Sequence, residues 1–486
     1  MNLCCPDPLS DGPQRLLAEQ ALSRAGGAPL VQGNSVRILK DAEEHFPAWL
    51  SVIASAQRTV FLENYIFADD EVGSEFVSAL AARARDGVRV RVICDWLGSI
   101  RTSGRFWHPL MLAGGEVRIF NPPQLARPFG WLTRDHRKML TVDGRIGFIT
   151  GLCVSSKWLG DPARGVAPWR DTGVEIRGPA LRAIEDAFAQ TWAAIGTPLP
   201  EEELTPVAEM PEAGDVALRV LAATPNLGRL YRLDQLIAAI ARERLWLADA
   251  YFIGVAPYVQ ALRSAALDGV DVRLLVPGAS DLPLVRTVSR AGYRPLLDAG
   301  VRVFEWNGPM LHAKTAVADS RWARIGSTNL NISSWLGNYE LDVAVEDTRF
   351  AVAMEHMYEE DLRNATEIIL GVRGRVCPMV DMPRHHRRGD GSASRAAAGA
   401  IRLGHSVGAA IADRRNLGPA EAGIMTAAGF ALLGLAAIGL IWPYALALPL
   451  CAFAIWMGIA LLSRARAMRR VSASGDLATS RKAAEK

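Results

Sequence analysis

The sequence predicts an α/β protein of two pseudo-symmetric lobes with mixed sheets, followed by a C-terminal transmembrane helical hairpin. Three observations predict it. Strand-like and helix-like segments alternate from residue 36 onward, their order and several short motifs occur twice, and positions 422–463 hold no Asp, Glu, Lys or Arg. Strands alternating with helices of such lengths imply α/β units and parallel or mixed sheets. At roughly 150 residues per domain, a chain of 486 residues allows about three units. With 50% apolar and 22% charged residues it is neither disordered nor collagen-like, and a net charge of +3 demands no nucleic acid. Six cysteines without a C-x-x-C pair argue against a zinc site or a disulfide framework. Residues 1–35 show no signal-peptide core, which predicts a reduced, cytoplasm-facing catalytic body.

In the first half the pattern reads as a strand at Val36–Leu39, a helix near Ala42–Ala56, a strand at Thr59–Ile66, a helix near Gly73–Arg85 and a strand at Val88–Cys94. The second half offers a helix near Asp234–Arg242, a strand at Leu245–Phe252, a helix near Val259–Leu267 and a strand at Val270–Val276. Tyr65 and Tyr251 occupy matching places, as do Asp86-Gly87 and Asp268-Gly269. The expected boundaries are an N-terminal extension (1–35), a first lobe (36–196), a Pro- and Glu-rich linker (197–213) and a second lobe (214–383). A basic tether (384–421), a two-helix hairpin (422–463) and a basic tail (464–486) complete the chain. A site on the pseudo-two-fold axis of such a body draws equivalent residues from each lobe.

The uncharged run is too long for one span of about 20 residues and suits two. Pro443 ends the first helix, and Trp442 and Tyr444 fit the interfacial belt. Arg414 and Arg415 before the hairpin, and Arg464, Arg466, Arg469 and Arg470 after it, place both ends on the cytoplasmic side. The tether carries seven arginines between 384 and 415 and suits anionic headgroups.

The repeat is strictest at His136-Arg-Lys138-Met-Leu-Thr-Val-Asp143 and His312-Ala-Lys314-Thr-Ala-Val-Ala-Asp319. Both read H-x-K-x4-D. On a strand, residues i and i+2 share a face, so each imidazole and ammonium converge on one group. Two lysines make a positive site for a phosphoryl group. One histidine attacks phosphorus while the other protonates the leaving alcohol, then deprotonates the incoming one. No metal or other cofactor is required. Asp143 and Asp319 complete the catalytic motifs and close turns, as scaffold rather than proton carriers. Each histidine needs an acceptor on its other ring nitrogen. By proximity along the chain, Asp171 is expected to serve His136 and Glu340 to serve His312. Ser327 and Asn329, in Gly326-Ser-Thr-Asn329, offer donors to phosphate oxygens. Phe129, Trp131 and Trp335-Leu336 are candidates for acyl-chain contact.

Residues from about 36 to 365 resemble the phospholipase D superfamily, specifically bacterial cardiolipin synthases. Besides the paired motifs, Glu63-Asn-Tyr65-Ile-Phe, Trp169-Arg-Asp171 and Gly326-Ser-Thr-Asn329 with Asn338 and Glu340 carry the likeness. The resemblance implies two α/β/α lobes with the site between them, and ping-pong phosphatidyl transfer through a phosphohistidine. It assigns the nucleophile to His136 and general acid/base work to His312. Where relatives read Gly-Gly-x-Asn, this chain has Thr150-Gly-Leu-Cys153, so the amide donor is missing and Ser155 or Ser156 is left to fill the gap. The hairpin follows the body, where many relatives carry it first. The expected reaction joins two phosphatidylglycerols into cardiolipin and glycerol at a bacterial inner membrane. Alternatives are hydrolysis, transfer with phosphatidylethanolamine as co-substrate, a superfamily nuclease, or a non-catalytic membrane scaffold. Anionic phospholipid and the membrane are the expected partners, with no nucleic acid.

Overall fold

Among the described residues sixteen strands form one sheet whose order repeats about a seam. Lobe one supplies β1 (Val31–Lys40), β2 (Thr59–Asn64), β3 (Arg89–Asp95), β4 (Glu116–Phe120), β5 (Met139–Val142), β6 (Ile146–Thr150) and β7 (Thr172–Arg177). Lobe two supplies β8 (Val216–Ala223), β9 (Arg244–Ala248), β10 (Asp271–Pro277), β11 (Arg302–Trp306), β12 (Thr315–Ala318), β13 (Trp322–Gly326), β14 (Glu340–Glu346), β15 (Ala365–Leu370) and β16 (Val376–Pro378). Outward from the antiparallel β1–β8 seam, lobe one runs β1-β7-β6-β5-β2-β3-β4 and lobe two β8-β14-β13-β12-β9-β10-β11, with β15 and β16 added at the edge. Strands β2–β4 are mutually parallel, as are β9–β11, and the pairs nearer the seam are antiparallel. The sheet is therefore mixed.

The computed structural model describes residues 13–124, 132–282, 288–370 and 376–379, with scattered positions between 430 and 462. The chain divides into two units, Met1–Phe120 with Arg134–Arg415, and Asn121–Thr133 with Asn416–Lys486.

The helices are α1 (Pro13–Gly26), α2 (Asp41–Ala54), α3 (Glu71–Arg85), α4 (His108–Leu112), α5 (Leu181–Ala194), α6 (Arg229–Ile240), α7 (Ala256–Leu267), α8 (Tyr293–Asp298) and α9 (Thr348–Arg363). Their sequences explain them. In α3, Asp70 caps the N-terminus by accepting from Gly73 N at 3.0 Å, and Phe76, Val77, Leu80, Ala81 and Ala84 make the buried stripe. Asp347 caps α9 in the same way through Phe350 N. Helices α5 and α9 cover one face of the sheet with a core shared by both lobes, from Phe61 and Phe188 to Phe350 and Tyr358. Helices α2–α4 and α6–α8 cover the other face, each over its own lobe. Covered on both faces, β2, β5, β6, β12 and β13 are buried along their whole length, including the polar Glu63 and Asn64 of β2 and Arg324 of β13.

Two segments differ from expectation. The N-terminal extension contains α1, which packs Leu22 and Ala25 with Leu230 and Leu233 of lobe two, and β1 already begins at Val31. Residues 197–213, the expected linker, pack as a strap on lobe one. Glu203, 2% exposed, accepts from Arg91 Nε at 2.9 Å and Nη2 at 2.5 Å, and Thr205 N donates to Glu185 at 2.9 Å. Glu203 thus finds Arg89 and Arg91 of β3, a pairing that composition alone does not reveal.

Much of the expected hairpin, with the tether and the tail, lies outside the described residues, as do Phe129 and Trp131. Among the described residues no helix is long and apolar enough to cross a membrane. Described positions there are helical on both sides of a non-helical Trp442, and the side chains of Phe430, Leu440, Ile441, Leu448 and Ile455 are exposed.

Asp143 and Asp319 stand at the β5–β6 and β12–β13 turns with φ of 56° and 51°. Asp143 accepts from the backbone N–H groups of Gln57, Arg58 and Thr59 at 2.7–2.9 Å. Asp319 does the same for Arg242, Glu243 and Arg244 at 2.8–3.0 Å. Both tie the motif hairpin to the start of a parallel strand. Asp143→Ala is expected to cost about 1–3 kcal/mol of stability by orphaning these donors, with kcat far less affected than by loss of a motif histidine. Thermal unfolding and steady-state kinetics check it.

Candidate active site

Each histidine is clamped to the opposite lobe. Residues 134–138 lead into β5 and residues 310–314 into β12, and each run forms a parallel bridge across the seam, Asp135 with Tyr339 and Arg170 with Leu311. His136 N donates to Tyr339 O at 2.9 Å, and His312 N donates to Arg170 O at 2.7 Å. The next residue in each case is the acid. His136 Nδ1 lies 2.9 Å from Glu340 Oε2, and His312 Nδ1 lies 2.8 Å from Asp171 Oδ2. This corrects the pairing expected from chain proximity: Asp171 serves His312 and Glu340 serves His136. The bridges bring the ends of β7 and β14 to the other lobe's motif, so distance along the chain is the wrong guide.

The acids are fixed in turn. Ser327 Oγ donates to Glu340 Oε2 at 2.6 Å and Asn338 Nδ2 to Oε1 at 3.2 Å. Trp158 Nε1 donates to Asp171 Oδ2 at 3.0 Å, and Thr172 N to Oδ1 at 2.9 Å. Gly151 leaves the space for Asp171, since a Cβ there would lie 2.2 Å from Oδ1. Lys138 Nζ donates to His136 O at 2.6 Å, and Lys314 Nζ donates to His312 O and lies 2.9 Å from His312 Nδ1. Tyr65 packs on His136 with ring centroids 5.1 Å apart, and Tyr251 on His312 at 5.8 Å. Each tyrosine also faces its lobe's lysine, at 5.3 and 5.9 Å.

Burial decides the ionisation here. It pushes Glu340 up to about 7, against the pull of Lys138 and the Ser327 hydrogen bond. Burial also opposes ionisation of Asp171, but the His312 imidazole, its hydrogen bond and Lys314 together hold that carboxylate below its usual range. Burial first, then Lys314, lowers His312 to about 4, opposed by Asp171. His312 is therefore neutral at pH 7, and the Asp171 carboxylate at Nδ1 favours the Nδ1–H tautomer, which leaves a lone pair on Nε2. Burial, reinforced by Lys138, also lowers Lys314 to about 8, with Asp171 opposing. A ring-proton NMR titration of the ligand-free protein is expected to give His312 a midpoint near 4, and one at or above 6.5 contradicts the burial argument. The linkage follows in sign. An unfolded histidine binds its proton near 6.5, so between about 6.5 and 4 acid favours the unfolded chain at this residue and its contribution to stability is lost.

The other expected site residues divide. Ser155 Oγ donates to Asp70 Oδ2 at 2.9 Å, as do Ser156 N and Oγ at 2.9 and 3.0 Å, so both serines support the α3 cap instead of replacing the missing amide. Thr328 is committed to Asp342, which Arg324 holds. Asn329 is 1% exposed, and its Oδ1 has no partner among the described residues. Cys153 is buried, and burial raises its thiol against the pull of Lys138, so it is held neutral. Trp335 is core, donating through Nε1 to Asp234 Oδ2 at 3.0 Å, while Leu336 is partly exposed.

Sequence reading missed Trp158 and Arg137. Trp158 carries no signal beyond its place after the Gly151 turn. Arg137, the x of the first motif, is fully buried and donates to Glu340 O, Ala223 O, Ala187 O and Thr191 Oγ1, pinning the two lobes beside the His136–Glu340 pair. Among the described residues no group of His, Cys, Asp or Glu is arranged to hold a metal ion.

Two repeated lobes, each giving a His–Lys pair and the acid for the other's histidine, define a phospholipase D-like protein. The family model described as "Cardiolipin synthase, PLD-like domain" matches residues 49–159 and 235–362. A cardiolipin synthase of Alkalihalophilus pseudofirmus is 32% identical over 364 residues, covering 74% of this chain and 71% of that one. Cardiolipin synthase A of Pseudomonas syringae pv. syringae is 34% identical over 361 residues, covering 72% and 73%. The chain belongs to the cardiolipin synthase family and is a phosphatidyltransferase. A crystal structure of phosphatidylserine synthase from Haemophilus influenzae shares the fold, with a TM-score of 0.56 at 13% identity, covering 72% of this chain and 91% of that one.

Proposed function

We propose that the protein transfers the phosphatidyl group of one phosphatidylglycerol to the free glycerol hydroxyl of another, releasing glycerol and forming cardiolipin. The carrying observation is the pair of cross-lobe dyads, His136–Glu340 and His312–Asp171, each with its own lysine. In this reading His136 Nε2 attacks phosphorus, with Glu340 on Nδ1 accepting the charge that develops on the ring. His312 gives its Nε2 proton to the departing glycerol oxygen, then takes the proton of the incoming alcohol as that oxygen displaces His136. Lys138 and Lys314 stabilise the charge on the phosphoryl oxygens, and buried Asn329 is available to the same group. His312 on its own is neutral, so it takes its Nε2 proton from solvent as the anionic substrate binds and that charge raises the imidazole pKa.

Residues 422–463 form the proposed membrane anchor, a hairpin with both ends, and the catalytic body, on the cytoplasmic face of the inner membrane. It rests on the uncharged run and on the exposed apolar side chains at its described positions. Deleting 422–463 is expected to release the protein from carbonate-washed membranes, and retention of the deleted form counts against the anchor.

The test of the reaction uses full-length protein in phosphatidylglycerol vesicles labelled in the headgroup glycerol, with chelator present. Cardiolipin with one glycerol released per product supports the reading. Phosphatidic acid as the sole lipid product overturns transfer in favour of hydrolysis, and turnover only with phosphatidylethanolamine moves the second substrate.

A further inference from the structure

The phosphohistidine route leaves open what decides between lipid alcohol and water as acceptor, and the surroundings of His312 bear on that choice. His312 is 5% exposed. Trp158 stands perpendicular to its ring at 5.3 Å, Tyr251 at 81° and 5.8 Å, and Trp169 lies tilted by 36° at 5.9 Å. Two of these walls are fixed from behind. Trp158 donates to Asp171, and the Tyr251 hydroxyl donates to Asp281 Oδ1 at 2.9 Å. Trp169 differs: it is partly exposed and joins Ile253 and Leu282 in an apolar fringe packed against Ala250, Tyr251 and Met310. A partly exposed apolar fringe beside a buried base disfavours a small polar nucleophile and favours one that brings its own apolar surface.

We infer that Trp169, with Ile253 and Leu282, is a specificity-determining threshold at His312 that keeps water from the phosphatidyl intermediate and admits the lipid alcohol. The inference rests on the reaction proposed above. In that step the alcohol oxygen bonds to phosphorus, the bond from phosphorus to His136 Nε2 breaks with its electron pair returning to the ring, and the hydroxyl proton passes to His312 Nε2. Water follows the same course to phosphatidic acid. Trp169 touches neither the nucleophile nor the phosphoryl group in this account; it controls what reaches His312.

The experiment compares the ratio of cardiolipin to phosphatidic acid made by full-length wild type, Trp169→Phe and Trp169→Ala in phosphatidylglycerol vesicles, with thermal unfolding of each. The ratio is expected to fall about tenfold in Trp169→Ala, the loss of roughly one buried aromatic contact, and to stay within about twofold in Trp169→Phe, which keeps the apolar wall. A folded Trp169→Ala with an unchanged ratio, even at reduced total turnover, overturns the inference, because a packing role lowers both products alike. If Trp169→Ala loses its cooperative unfolding transition, Trp169→Leu takes its place with the same criterion and a smaller expected shift. Wild type that makes neither lipid product defeats the proposed reaction itself, an outcome read without any variant.

Discussion

With His136 replaced by Ala, cardiolipin formation is expected to fall by about 10⁴-fold or more, and His312→Ala to match it, because groups acting as one relay fail together. The two losses separate with a phosphatidyl ester whose leaving group needs no proton, such as p-nitrophenol. His312→Ala then still releases one equivalent of nitrophenol in a burst and stops, since attack by His136 proceeds but no base remains for the acceptor. His136→Ala gives no burst. A burst from His136→Ala and none from His312→Ala would reverse the assigned roles. Bursts from neither would mean that attack itself needs both imidazoles.

Asp171→Asn and Glu340→Gln extend the same logic to the acids. The crossed pairing, 2.8 Å from His312 to Asp171 and 2.9 Å from His136 to Glu340, makes each substitution fall on the histidine of the other lobe. Asp171→Asn removes the carboxylate that fixes the Nδ1–H tautomer of His312, and steady-state turnover is expected to drop by about 10²–10⁴-fold with the burst rate preserved. Glu340→Gln slows the burst. A slowed burst in Asp171→Asn would restore the pairing within one lobe. The acids are not equivalent, since Asp171 is held ionised while burial brings Glu340 to about 7. The burst rate of wild type is therefore expected to gain from rising pH around 7 as Glu340 ionises, and Glu340→Gln to lose that dependence.

The architecture and the chemical groups were legible in the sequence for a physical reason. Residues two apart in the extended runs leading into β5 and β12 share a face, and the repeat makes both copies alike, so the α/β lobes, the two motifs and the turn positions of Asp143 and Asp319 follow from spacing. What spacing leaves open is which parts of the lobes touch. The crossed dyads depend on two isolated bridges, Asp135 with Tyr339 and Arg170 with Leu311, and single bridges leave no periodic trace. The same holds for Trp158, whose indole meets Asp171 through a loop closure, and for Ser155, whose hydroxyl is drawn to a helix cap 85 positions away. The strap at 197–213 carries the Pro and Glu of a linker yet buries Glu203 against Arg91, because its charge is complementary to lobe one.

The crossed clamps bear on how such a protein can change over generations. Neither half owns a complete proton relay, since each imidazole borrows its carboxylate from the other half. On the proposed mechanism a lesion at Glu340 disables the first motif and one at Asp171 the second, so an idle half is no reserve in which new chemistry can drift. Chimaeras joining residues 1–196 of one relative to the remainder of another inherit both relays only where Arg137 and Arg170 meet compatible backbones across the join. Seam compatibility, rather than similarity within each half, is the quantity to match when such hybrids are assembled.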